Sequence, residues 1–107
     1  MSMDFGKLAE QARQMQEELA RLQEEAEKEL VTATAGGGMV KVTATAGGEI
    51  TQIEIDPKAI DPDDPELLAD LVLAAVNEAL RSARALMESK MSGLMPGGMG
   101  DLGGLLP

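Results

Sequence analysis

The chain has 107 residues, a formal net charge of −10, a single aromatic residue (Phe5) and no cysteine or histidine. This length suffices for one domain. The missing residue types exclude a disulfide framework, a thiolate nucleophile and the most common general base and transition-metal ligand. The sequence has no run of about 18 apolar residues, so no membrane span is predicted. It also has no signal-peptide pattern, so the expected compartment is the cytoplasm.

The first predicted element is a long helix over residues 4 to about 29, with Asp4 as its N-cap. Apolar residues recur at alternating steps of three and four, which is the pattern of a coiled-coil seam. The seam consists of Phe5, Leu8, Ala12, Met15, Leu19, Leu22 and Ala26. At ~1.5 Å per residue this helix is longer than a three-stranded sheet can cover. We therefore expect part of it to project as an arm.

The polar sides of this helix are ordered by charge. Basic and polar residues repeat every seven positions on one side, and glutamates repeat every seven positions on another. The first set is Lys7, Gln14, Arg21 and Lys28, with Arg13 beside them, and the second is Glu10, Glu17 and Glu24. Two interpretations stay open. The side chains form ordinary ion pairs such as Glu17–Arg21 and Glu24–Lys28, or the basic row meets phosphates.

Three segments with period-two alternation and many β-branched residues predict an antiparallel three-stranded meander: residues 30–35, 39–46 and 49–56. The Gly36–Gly38 run between the first two segments is predicted to be a turn. A phosphate-binding loop is the alternative, but such a loop precedes a helix and carries Lys-Ser/Thr, and this run does neither. The residues expected to face inward are Val40, Val42, Ala44, Ala46, Ile53 and Ile55. The meander has two free edges, which proteins usually cover or pair.

An acidic segment, residues 61–65, precedes the last predicted helix. Asp64 is expected to be the N-cap of that helix, with Pro65 at the first helical position and Glu66 in the first turn. A hard-cation site is the alternative, but the ligand spacing of an EF-hand is missing. No metal site and no cofactor are predicted.

The last helix is predicted over residues 65 to about 92. Eleven of the 14 residues from Leu67 to Leu80 are apolar, more than the one stripe that a surface helix needs. We therefore expect this helix to contact both the sheet and a second copy of the chain. The predicted interface and core residues are Leu68, Leu71, Val72, Ala75, Val76, Asn77, Ala79 and Leu80. Asn77 is either a buried hydrogen-bonding residue or an exposed one.

This helix has two further features. A face of small residues, expected to allow close backbone approach, comprises Ala74, Ala75, Ala79 and Ala83. Towards the end of the helix Arg81, Arg84 and Lys90 stand against Glu88 alone, which makes this the one locally positive element of an otherwise acidic chain. Residues 1–93 are predicted to form a single domain, and residues 94–107, rich in Gly, Met and Leu, a disordered tail.

Three segments resemble the YbaB/EbfC nucleoid-associated family of bacteria. They are Gly-Gly-Met-Val-Lys-Val-Thr at 37–43, Ile-Glu-Ile-Asp-Pro at 53–57 and Leu-Ala-Asp-Leu-Val-Leu-Ala-Ala-Val-Asn-Glu-Ala at 68–79, and Gln-Ala-Arg-Gln-Met-Gln at 11–16 and Lys-Met at 90–91 are similar as well. The resemblance implies an α+β protomer of order α-β-β-β-α in a tweezer-like homodimer. It also implies largely sequence-independent DNA binding in the nucleoid.

The resemblance nominates DNA-contacting residues on the first and last helices. At the matching positions these are Lys7, Arg13, Arg21, Arg81, Arg84 and Lys90. Genes of the family often lie beside recombination and clamp-loader genes, which implies a role in chromosome maintenance. The charge of −10 opposes approach to DNA, so binding is expected to be weak, salt-sensitive and directed at the duplex backbone.

Two functional hypotheses remain open. The first is a DNA-binding architectural dimer. The second is an adaptor for replication or recombination proteins that has little affinity for DNA and uses the apolar seam, the acidic faces and the Met-rich tail. An enzyme is not predicted, because Ser89 and Ser92 have no base at a recognisable spacing and no phosphate loop is present.

Overall fold

The computed structural model describes residues 4–94, which form an α-β-β-β-α protomer. The elements are helix α1 (Phe5–Glu27), strands β1 (Leu30–Ala35), β2 (Val40–Thr45) and β3 (Ile50–Ile55), a 3-10 turn (Pro57–Ala59) and helix α2 (Pro65–Leu94). The predicted α+β fold class and element order are confirmed, and every boundary lies within two residues of its expected position. Apart from Leu94, the predicted tail over residues 94–107 lies outside the described residues.

Aspartate side chains cap the N-termini of both helices, as the sequence predicted. The Asp4 carboxylate accepts a hydrogen bond from the backbone N–H of Lys7 at 3.0 Å. The Asp64 carboxylate accepts one from the N–H of Leu67 at 3.2 Å, directly before α2. Each bond satisfies one of the backbone donors that a helix leaves free in its first turn. The acidic segment before α2 therefore has a structural role in helix capping.

The sheet is an antiparallel meander with β2 in the centre. Val42 pairs with Ala33 on one side and with Ile53 on the other. Side chains of directly paired residues point to the same face. One face is therefore apolar across all three strands, as the sequence predicted for Val42 and Ile53.

Helix α2 packs on this apolar face over β1 and β2. The core consists mainly of valine and alanine, and its largest fully buried side chains are Val40 and Val42. From the helix, Ala75, Ala79 and Ala83 are fully buried, so the backbone of α2 lies close to the sheet. Ala74 does not belong to this face. It is exposed, because one residue along a helix is a rotation of about 100°.

The third strand is less covered than predicted. Ile53 and Ile55 lie on the apolar face but remain 44% and 38% exposed. The reason is that α2 contacts the sheet mainly at β1 and β2. Both isoleucines therefore face the apolar side of the sheet, as predicted, but the protomer leaves them partly exposed.

Helix α1 is held at its C-terminal end and projects from there, as expected. The backbone N–H groups of Ala46 and Gly47 donate to the carbonyl oxygens of Glu29 (2.7 Å) and Glu27 (3.0 Å). Ala26 is buried, whereas every residue from 5 to 21 is exposed. The Cα radius of gyration is 21.2 Å, against about 13 Å for a compact chain of this length. Within residues 4–94, no helix is both long and apolar enough to cross a membrane.

Candidate nucleic-acid interface

All nine basic residues of the chain lie among the described residues, and all nine are exposed. Six of them are the predicted DNA-contacting residues on the two helices. Lys7, Arg13 and Arg21 lie on α1, and Arg81, Arg84 and Lys90 lie on α2. The fold therefore leaves each of these side chains open to solvent, but it does not leave them equally free of carboxylates.

The arginines of α1 are each held between two glutamates. The guanidinium of Arg13 bonds Glu10 through Nε (3.2 Å) and Nη2, and it bonds Glu17 through Nη1. Arg21 repeats this arrangement with Glu18 (Nε, 3.2 Å, and Nη2) and Glu25 (Nη1, 2.8 Å). The hydrogen bonds and the charge of Glu18, with that of Glu25, raise the pKa of Arg21. The guanidinium is therefore charged at any working pH.

The ion pairs expected from heptad spacing do not form. Arg21 pairs with glutamates three residues before and four after it rather than with Glu17, four residues before it. The guanidinium bonds the Glu18 carboxylate through two nitrogens, which is the strong bidentate arrangement of an arginine and a carboxylate. Lys28 forms no ion pair with a residue of the segment 4–94, so the predicted Glu24–Lys28 pair is wrong as well.

The cations of α2 are less enclosed. Arg81 bonds one glutamate, Glu78, through Nε (3.1 Å) and Nη2 (2.6 Å). Lys90 pairs across the fold with Glu29 at 3.0 Å, where the end of α1 meets α2. Arg84 forms no ion pair with any residue in the described part of the chain. Among the three, Arg84 is the cation most available to a phosphate oxygen.

Arg81 and Arg84 share the solvent side of α2. Residues three or four positions apart lie on one side of a helix, and Asn77, Arg81, Arg84 and Glu88 follow this spacing. All four are exposed. We call Arg81 and Arg84 the α2 basic row. Asn77 is thus exposed in the protomer rather than buried within it.

The predicted interface and core residues of α2 divide between two environments. Ala75 and Ala79 are fully buried against the sheet of the same protomer, with Leu68, Leu71, Val72 and Val76 partly buried beside them. Leu80 is half-buried. Sequence reasoning did not single out Leu73, which is 59% exposed. Leu73 lies three residues before Val76 and seven before Leu80, so the three side chains form a second apolar stripe on α2. This spacing is the sequence signal that could have identified Leu73.

The fold and these side chains define a class of protein: a small α+β protomer with one helix on its sheet, one projecting helix, and arginines on the outer sides of both. The sequence model of the YbaB/EbfC DNA-binding family matches residues 1–99, and the chain belongs to this family. The resemblance noted in the sequence is therefore confirmed.

Relatives agree with this assignment, and a solved structure shares the fold. A nucleoid-associated protein of Thermoanaerobacter pseudethanolicus is 49% identical over 94 residues, which cover 88% of this chain and 85% of the relative. One of Streptomyces avermitilis is 49% identical over 99 residues, covering 92% and 88%. The crystal structure of an uncharacterized protein from Helicobacter pylori has a TM-score of 0.69 at 24% identity, covering 89% of this chain and 100% of that one. At that identity the likeness shows the fold alone.

Proposed function

We propose that this protein is a nucleoid-associated protein that binds duplex DNA as a homodimer, through contacts between helix side chains and backbone phosphates. The observation that carries the proposal is the α2 basic row, which lies on the outer side of α2 within residues 79–92, where three basic residues stand against Glu88 alone in a chain of net charge −10. Family membership supports the same function, as do the names of the relatives from Thermoanaerobacter and Streptomyces, both called nucleoid-associated proteins.

The available side chains favour contacts with phosphates over contacts with bases. Arginine presents a planar fork of donors that matches two oxygens of a phosphate. Binding to single strands relies on stacked aromatic side chains, and Phe5 is the only aromatic residue of the chain. Contacts of this kind release counterions from DNA, so affinity falls steeply with salt. The acidic remainder of the protein opposes approach and keeps the affinity low.

A homodimer accounts for the apolar surface that one protomer leaves open. Ile53 and Ile55 lie beyond the edge of α2, and Leu73 is exposed on α2 itself. Removing such surface from water is the main driving force for association. A second copy that covers β3 with its own α2 buries all three side chains at once. We propose this face, rather than the polar face of the sheet, as the dimer interface.

The dimer also strengthens DNA binding. Two protomers carry two α2 basic rows on one particle, and each phosphate that is neutralised adds to the affinity through released counterions. A monomer with the same two arginines has half as many such contacts. Dimerisation and DNA binding are therefore coupled in this proposal, and a variant that dissociates the dimer also weakens DNA binding.

The test is a fluorescence-anisotropy titration of a labelled duplex of mixed sequence at several salt concentrations. The variant Arg81→Gln/Arg84→Gln removes the α2 basic row. Lys41→Gln/Lys58→Gln is the matched control, since it removes the same charge from residues outside both helices. We expect the variant to bind more weakly and to lower the slope of log K against log salt by about 0.9 for each phosphate that it no longer neutralises. The control keeps the wild-type slope.

Two results contradict the proposal. Equal weakening in the variant and the control means that total charge, not the α2 basic row, governs binding. Tight binding that does not change between low and high salt rules out a phosphate-based mechanism.

A second candidate function rests on a separate observation. The apolar seam of α1 is exposed at Phe5 (72%), Leu8, Met15 and Leu19, on a helix that carries three basic and six acidic residues. An exposed heptad seam on an acidic helix fits an adaptor that binds replication or recombination proteins. If the wild type does not bind duplex DNA at low salt, the adaptor function is favoured.

A further inference from the structure

The α1 sequence contains an eight-residue pattern twice in succession. Both copies read Glu-x-Ala-Arg-x-x-x-Glu, at residues 10–17 and 18–25. In each copy the central arginine bonds the first glutamate with two nitrogens and the last glutamate with a third. We call these the first and second glutamate clamps. The repeated geometry means that the arrangement follows from the spacing of the residues rather than from one side-chain accident.

Each clamp presents a net negative charge at the position where the family resemblance places a DNA-contacting arginine. Two carboxylates surround one guanidinium, and three of the five N–H donors of the arginine are engaged. The side chains of Arg13, Glu10 and Glu17 are 54%, 50% and 64% exposed. An incoming phosphate therefore meets two like charges and has to displace a carboxylate before it reaches the guanidinium.

We infer that the glutamate clamps limit the DNA affinity of α1, with Glu10, Glu17, Glu18 and Glu25 acting as positioning residues that hold Arg13 and Arg21 away from phosphates. This inference rests on the proposed function, because it concerns the same DNA surface. The α2 basic row makes the first contact. The α1 arginines contribute only after a phosphate has replaced a clamp carboxylate.

Because the clamps are exposed, they weaken phosphate binding to the α1 arginines without preventing it. Exposed ion pairs are weak and are screened by salt, so a phosphate in a dense row of negative charge competes with a carboxylate for the same donors. The displaced carboxylates stay on the helix and continue to repel DNA. A clamp therefore reduces the gain from each α1 arginine without removing it.

The experiment compares two variants that change α1 by the same charge. Glu10→Gln/Glu17→Gln opens the first clamp, and Glu24→Gln/Glu27→Gln is the control, because neither of its glutamates pairs with a basic residue of the segment 4–94. Glutamine and glutamate have similar helix propensity, so the helix is retained. Circular dichroism confirms that retention before the duplex titrations are made.

Both variants bind the duplex more tightly than the wild type, because each lowers the negative charge of α1. We expect the clamp variant to bind about threefold more tightly than the control, the factor that corresponds to releasing an exposed ion pair. Its log K against log salt slope becomes steeper by about 0.9 for each arginine that gains a phosphate. Adding Arg13→Gln removes the excess from the clamp variant. The same addition weakens the wild type less, because there the clamp already reduces what the arginine contributes.

The outcomes separate this inference from the proposed function. If the wild type binds the duplex with the expected salt dependence, but the clamp variant and the control have the same affinity and slope, the inference is wrong and the proposed function stands. If the wild type and all variants fail to bind at low salt, the proposed function is wrong and the inference falls with it. An excess affinity of the clamp variant that persists after Arg13→Gln also overturns the inference.

Discussion

Replacing Ile53 and Ile55 with threonine is expected to dissociate the proposed homodimer while the protomer stays folded. The two side chains lie on the apolar face of β3, where no helix of the same protomer, within residues 4–94, covers them. Threonine is β-branched like isoleucine and suits a strand. The substitution therefore changes the apolarity of the surface more than the conformation of β3.

The magnitude follows from the exposed fractions of 44% and 38%. Burying a whole isoleucine side chain contributes about 1.5–3 kcal/mol, so covering the exposed two-fifths of each contributes roughly 0.6–1.2 kcal/mol. Two protomers supply four such side chains, which together contribute roughly 2.5–5 kcal/mol to association. Threonine keeps one methyl group, so the lower end of this range of association free energy applies. The dimer dissociation constant therefore rises by about 100-fold.

The assay is sedimentation velocity over a range of protein concentrations, with light scattering to fix the mass. The protomer has a mass of 11.2 kDa, and the wild type is expected at twice that mass at micromolar concentration. Gln52→Thr/Glu54→Thr is the matched control, since these neighbours lie on the opposite, polar face of β3. The proposed interface is wrong if the isoleucine variant stays dimeric, or if the control dissociates as readily.

Three further predictions concern stability, each measured as the free energy of unfolding in urea at one fixed protein concentration. Val42→Ala removes two methyl groups from a fully buried side chain and is expected to cost about 2 kcal/mol; a cost under about 0.5 kcal/mol contradicts the assignment of Val42 to the core. Asp64→Ala removes the cap of α2 and costs about 1 kcal/mol, whereas Asp64→Asn restores most of it. Gly36→Ala costs about 1–2 kcal/mol because the residue has φ of +64° and because the added Cβ lies 3.0 Å from the Leu71 side chain, which has to shift.

The elements of this fold could be predicted from the sequence because their signals lie within a few residues of each other. Alternation of apolar and polar residues at 30–35 marks β1, and Asp64 followed by Pro65 marks the start of α2. A cap, a turn or a strand pattern depends on neighbouring backbone groups and needs no knowledge of the rest of the chain. The locations of the cations on the helices follow from the same local patterns.

The ion pairs of α1 show a limit of local reasoning. Arg21 has glutamates within reach at positions 17, 18, 24 and 25. Spacing alone admits several of these pairs. The choice of Glu18 and Glu25 depends on the direction in which the guanidinium leaves the helix and on its capacity to bond one carboxylate with two nitrogens.

By itself, the sequence determined the order of the elements, their caps, the apolar face of the sheet and the side of each helix on which the arginines lie. Only the tertiary structure decided that α2 rests over β1 and β2, that Ile53 and Ile55 stay open, and that Lys90 meets Glu29 across the fold. The physical reason is that periodicity reports which side of an element is apolar. Where one element lies along another is decided by packing between residues far apart in the chain, here by Ala75 and Ala79 seated on Val40 and Val42.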